Sequence, residues 1–149
     1  MRLTRHTDYA VRVLMFLALR DGQPGTIREI ASAYGISRHH LMKVAHELQL
    51  NGYLNTLRGR GGGLRLALAP EQIMLGNLIR TMEPDLKMAE CFGCDNQCVI
   101  TPNCQLKHVL EEALGALLRV LDSYSLADVT APGAQTLRQN LGLNTGEYH

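Results

Sequence analysis

The sequence predicts a mainly α fold: a winged helix-turn-helix with a two-stranded wing, a cysteine loop and a long dimerisation helix. Three observations carry that expectation. Two short amphipathic helical patterns meet at Gly35, an alternating apolar stretch surrounds the run RGRGGG, and all four cysteines fall within CFGCDNQCVITPNC, residues 91–104. A length of 149 residues with 46% hydrophobic content suits about one ordinary domain with additions.

From Asp8 to Leu19, the residues Val11, Leu14, Met15, Ala18 and Leu19 recur at helical spacing, with Thr7 as N-cap and Asp21-Gly22 as the stop. The stretch GQPG breaks the chain, and TIREIASAYG then gives a short helix from Thr26 that ends at Gly35. A third helix starts after Ser37 as N-cap, turns Leu41, Val44, Ala45 and Leu48 to one face, and stops at Asn51-Gly52. Two helices joined by a tight glycine turn form the helix-turn-helix pattern. In YLNTLRGRGGGLRLAL, Leu54, Thr56, Leu64, Leu66 and Leu68 alternate about a glycine-rich tip, which predicts a β-hairpin. A further helix runs from Pro70 to about Met82, with Ile73, Met74, Leu78 and Ile79 inward, until Glu83-Pro84-Asp85 ends it. After Cys104, the residues Leu106, Leu110, Ala113, Leu117, Val120 and Tyr124 repeat as a heptad seam. Val109, Leu114 and Leu121 widen that stripe enough to touch both the helix's own domain and a partner, so a homodimer is expected.

The formal charge of +1 hides an asymmetry. Residues 1–65 carry ten Lys or Arg against four Asp or Glu, and the remainder carries five against ten. A basic first half suits a polyanion, because neutralised phosphates release counterions. The third helix has the right outward face for double-stranded DNA: Ser37, Arg38 and His39 at its N-terminal end, Lys43 a turn later, and Met42 and His46 on the same side. At the hairpin tip, Arg58 and Arg60 supply charge that a narrow minor groove attracts, while glycines let the backbone come close to a phosphate wall. A phosphate-binding nucleotide loop is excluded, since no Gly-Lys-Ser/Thr follows the glycines. Enzyme chemistry is also disfavoured: His39, His40 and His46 have no nucleophile or carboxylate partner at helical spacing.

No apolar run approaches the roughly 20 residues of a membrane helix, and MRLTRHTDYAVR is not a signal peptide, so a cytoplasmic location is expected. Thiols stay reduced there, and a cysteine cluster more often binds metal than forms disulfides. The spacing is Cys91-x2-Cys94-x3-Cys98-x5-Cys104. Structural zinc usually takes two Cys-x2-4-Cys knuckles with a longer separation, so zinc fits poorly and stays an alternative. A flexible, glycine-bearing loop that bends several thiolates onto one inorganic core suits an iron-sulfur cluster, either 4Fe-4S or 2Fe-2S. The expected division is a DNA-binding domain over 1–85, a cluster-binding loop over 86–104, a dimerisation helix over 105–128 and a mobile C-terminal tail over 129–149.

From RLTRHTDYAVR through the helix-turn-helix and RGRGGGLRL to CVITPNCQLK, the chain resembles the bacterial winged-helix iron-sulfur regulators of the Rrf-two family. The last segment, together with Asp8 in TDYA, resembles the family's nitric-oxide-sensing repressors. The resemblance implies a repressor of palindromic operators, with nitric oxide as the signal and a 4Fe-4S cluster favoured. Its ligands carry over to Cys91, Cys98 and Cys104, with Asp8 from the partner's first helix as the fourth. The family's cluster-biogenesis repressors instead use a His three residues after the last cysteine. Here Lys107 holds that place and His108 is one position off. Cys94 is an additional thiol and an alternative fourth ligand. Iron, cluster supply or redox state are alternative signals for the same fold.

Overall fold

A computed structural model of the chain describes residues 1–143. Among them, α1 (Arg5–Ala18), α2 (Ile27–Tyr34) and α3 (Arg38–Leu50) precede a hairpin of β1 (Leu54–Leu57) and β2 (Gly63–Leu66). Then come α4 (Leu75–Met82), α5 (Gln105–Asp122), α6 (Leu126–Thr130) and α7 (Ala134–Asn140). The core lies between α1, α2, α3, the hairpin and α4, where Val13, Leu14, Phe16, Ile30, Leu41, Leu48, Leu54 and Leu78 are buried. Capping follows the sequence closely at α2 and α3. Thr26 and Glu29 form a reciprocal capping box, Gly35 takes the left-handed conformation at φ 65°, and the Ser37 hydroxyl accepts from His40 N–H.

The hairpin pairs Leu54 with Leu66 and Leu57 with Gly63. Its inner edge also exchanges two backbone hydrogen bonds with Gly25, of 2.9 and 2.7 Å between Gly25 and Leu64, so the wing is fixed to the start of α2. Gly25 has no room for a side chain, since a Cβ would stand 2.9 Å from Leu17 and 3.0 Å from Phe16.

Four expectations need correction. The first helix starts one turn early, with Thr4 rather than Thr7 as N-cap; buried Glu83 accepts from the Thr4 backbone N–H at 3.1 Å and from its hydroxyl at 3.2 Å. That partner lies 79 residues away, outside any local pattern. The helix expected over Pro70–Met82 splits into a 3-10 turn at Pro70–Gln72 and α4, because Ile73 and Leu75 bond across to Leu126 and Tyr124 in extended backbone. The long helix ends at Asp122 rather than 128: a capping box at Ser125 and Asp128 starts α6, whose Leu126 is fully buried in the same core as α1. Residues 129–143 are not a mobile tail, because they form the end of α6 and α7, and Leu141 and Leu143 just after α7 pack against the core. The remainder of that expected tail, 144–149, lies outside the described residues.

Candidate functional site

The candidate DNA-facing surface is built on α3. Its apolar face is fully inside, with Leu41, Val44 and Leu48 at 0% exposure, so the opposite face is held rigidly outward. Ser37, Arg38, His39, Met42, Lys43 and His46 are all exposed there. Two contacts beneath the helix escaped the sequence reading. His6 of α1 makes a 2.5 Å hydrogen bond to Glu47, and Tyr9 meets His40 edge-on with ring centroids 4.7 Å apart. Burial, then the nearby His6, Lys43, Arg5 and His39, push the His40 imidazole below its ordinary pKa. The wing is fixed to the same helix by the Thr56 hydroxyl, which donates to Gln49 at 3.0 Å. At the wing tip Arg58 and Arg60 are exposed, and the turn closes through Gly62 N–H to Gly59 O at 3.0 Å.

The four thiols are free and share one irregular segment: Cys91 and Cys104 are half-buried, Cys94 and Cys98 exposed. None belongs to the core, and Cys104 stands at the N-cap position of α5 without a side-chain cap of its own. Asn96 organises the loop. Its amide donates to Thr101 at 2.8 Å and its carbonyl accepts from Cys98 N–H at 3.0 Å, while Glu90 accepts from Gln97 N–H at 2.8 Å. Soft thiolate donors gathered outside the core on a lightly tethered loop fit an iron-sulfur cluster chemically. Among the described residues, no three His, Cys, Asp or Glu side chains converge as a metal site within one chain. Cys91, Cys98 and Cys104 are therefore not drawn into one three-residue group within the single chain, and Asp8 has a partner of its own. Its carboxylate is gripped by Arg12, at 2.8 Å from Nη2 and 3.3 Å from Nε, and that guanidinium lies over the rings of Tyr9 and Tyr34. Tyr34 donates to Arg12 O at 3.1 Å, and burial raises its pKa to about 12.

The heptad seam of α5 divides into two faces. Leu110, Leu114, Leu118 and Leu121 are half-buried, and α5 packs against α4. Leu106, Val109, Leu117, Val120 and Tyr124 form an outward stripe with exposures from 40% to 62%. An apolar stripe of this kind is the sort of surface on which a globular protein meets a partner. An Arg80–Asp122 fork, 2.5 and 2.8 Å, locks the inner face to α4.

The sequence matches the family Rrf2, described as "Iron-dependent Transcriptional regulator", over residues 3–132. The chain belongs to the Rrf2 family. It is similar to the HTH-type transcriptional regulator NsrR of Bacillus subtilis (strain 168), 53% identical over 131 residues that cover 87% of this chain and 90% of that one. The NsrR of Geobacillus kaustophilus (strain HTA426) is 50% identical, covering 87% and 89%. Among solved structures, T. potens IscR superposes with a TM-score of 0.73 at 27% identity, covering 91% of this chain and 90% of that one. CymR of B. subtilis, the global cysteine regulator, gives 0.72 at 22% identity over 89% and 98%, a likeness of fold alone. As an Rrf2 protein the chain is a DNA-binding transcription regulator and not an enzyme. No helix among the described residues is long and apolar enough to cross a membrane.

Proposed function

We propose that this Rrf2 protein is a cytoplasmic, homodimeric, iron-sulfur-dependent repressor that binds palindromic operators and releases them in response to nitric oxide. The observation that carries the reading is the placement of four free thiols on the one segment joining the winged-helix body to α5, the helix with the outward apolar stripe. Cys91, Cys98 and Cys104 would hold the cluster, 4Fe-4S rather than 2Fe-2S, with Asp8 of the partner subunit as fourth ligand and Cys94 as the alternative. When bound, the cluster supplies iron that nitric oxide attacks, most readily where a carboxylate rather than a thiolate is the ligand. The chain's own residues account for the transmission. Asp8 sits on the first turn of α1, and the same stretch of α1 reaches the candidate recognition helix through His6–Glu47 and Tyr9–His40. Within one chain Arg12 already grips the Asp8 carboxylate, so ligation by Asp8 competes with that ion pair. A coupling of about 1–3 kcal/mol between the two sites would change operator affinity roughly five- to 150-fold.

On the DNA side, Ser37, Arg38, His39 and Lys43 of α3 would enter the major groove, with Arg58 and Arg60 on the wing against the adjacent minor groove. The test is anaerobic purification followed by fluorescence anisotropy on an operator fragment. A brown protein absorbing above about 300 nm that loses its operator as nitric oxide is titrated supports the reading. A colourless or zinc-loaded protein with full operator affinity overturns the cluster; unchanged affinity under nitric oxide overturns the signal. The family description, iron-dependent, favours a second reading in which iron or cluster supply is the signal. Release by iron chelation but not by nitric oxide would select it.

A further inference from the structure

On the outward face of α3 every neighbour of Met42 is polar or charged: His39 three residues before it, Lys43 beside it and His46 four residues after. Met42 itself is 60% exposed. Its helix has no need of another apolar anchor, since Leu41, Val44 and Leu48 already fill the core side at 0% exposure. Nor does Met42 belong to an apolar docking patch on that helix. The other exposed apolar residue of α3, Leu50, lies eight residues on, about 12 Å along the axis. A single large apolar side chain in a polar, cationic stripe is what a surface needs when it must meet one apolar feature within a polar groove.

The major groove offers one such feature. Base edges there are hydrogen-bond donors and acceptors except for the C5 methyl of a pyrimidine, which in unmodified DNA belongs to thymine. Methionine is well shaped to reach it: unbranched, flexible along three torsions and polarisable. We propose that Met42 reads the C5 methyl of a thymine in each operator half-site and so sets part of the protein's sequence specificity. The inference rests on α3 lying in the major groove, as argued above for this regulator.

The test uses the full-length protein, purified anaerobically, and an operator selected from random DNA by the protein itself. Each thymine of that operator is replaced singly by deoxyuridine, which removes only the methyl. The wild-type chain is expected to lose about three- to fivefold in affinity at one symmetry-related pair of positions, the value of one methyl buried from water, and no more than marginally elsewhere. Met42→Ala is expected to bind the thymine operator more weakly and to show no deoxyuridine penalty at that pair, while Met42→Leu keeps it. Because Met42 is exposed, the Ala variant should fold, and an unchanged unfolding transition checks this. Wild-type indifference to deoxyuridine at every position overturns the proposal, as does an equal penalty in Met42→Ala. Failure of the reading it rests on looks different: Arg38→Ala and Lys43→Ala on the same face of α3 then leave affinity for the selected operator unchanged as well.

Discussion

At Asp8 the i,i+4 fork to Arg12 gives the carboxylate a structural occupation in the single chain, side by side with the proposed ligand role. Asp8→Ala is expected to lower iron content and operator affinity together, whereas Cys94→Ala leaves both near wild type; anaerobic iron analysis and anisotropy read the two. At the wing tip the constraint is space. A Cβ on Gly62 would lie 2.3 Å from Leu57 O, a backbone atom that cannot swing aside. Gly62→Ala should therefore destabilise the wing by roughly 1–3 kcal/mol and weaken operator binding, visible in denaturant midpoints and in anisotropy. Asp128 gives a pH dependence. The Ser125 backbone N–H, then its hydroxyl, hold the Asp128 carboxyl below its usual 3.8. A depressed folded value means that this stabilisation is present in full above the ordinary aspartate range and is lost as pH falls through the folded value. Thermal midpoints taken from pH 5 downward should fall, and Ser125→Ala should flatten that fall.

Among the elements, α7 is the one that lies beyond the residues matching the Rrf2 family. It is held by Arg138, whose Nε donates to Leu19 O at 2.8 Å and whose Nη2 donates to both Asp21 oxygens. Leu19 O is one of the carbonyls left over at the end of α1, so Arg138 acts as a C-terminal cap delivered from the far end of the chain. Arg138→Ala is expected to cost about 1–2 kcal/mol, read as a lowered thermal midpoint. Asp21→Ala should cost much less, since that carboxylate is 73% exposed and its ion pair is a surface one.

At the scale of the molecule, the described residues include two exposed surfaces to which the proposed function assigns a role: the α3 and wing face, and the outward stripe of α5. Burying the stripe against a second copy would place two reading helices under one symmetry axis, the arrangement palindromic sites require. Replacing Leu117 and Val120 together by Asp is expected to yield a monomer by analytical ultracentrifugation with unchanged helical content. Operator affinity should then fall by at least tenfold. A double variant that stays dimeric would move the interface away from α5.

The sequence alone determined the parts whose cause is local. The Thr26–Glu29 box, Gly35, the Ser37 cap, the alternation of the hairpin and the crowding of four thiols into 14 residues each follow from neighbours a few positions apart. Tertiary structure decided what depends on partners distant in the chain. Glu83 bonds onto the Thr4 cap of α1 from across the fold, Leu126 and Tyr124 broke the Pro70 helix, and Arg138 turned an apparent tail into a packed helix. It also sorted the seam of α5 into an inner and an outer face, and linked Asp8's helix to α3 through His6 and Glu47. The physical reason is range: caps, turns and periodicity act over one or two helical turns, whereas a hydrogen bond or burial across the fold leaves no trace in the residues beside it.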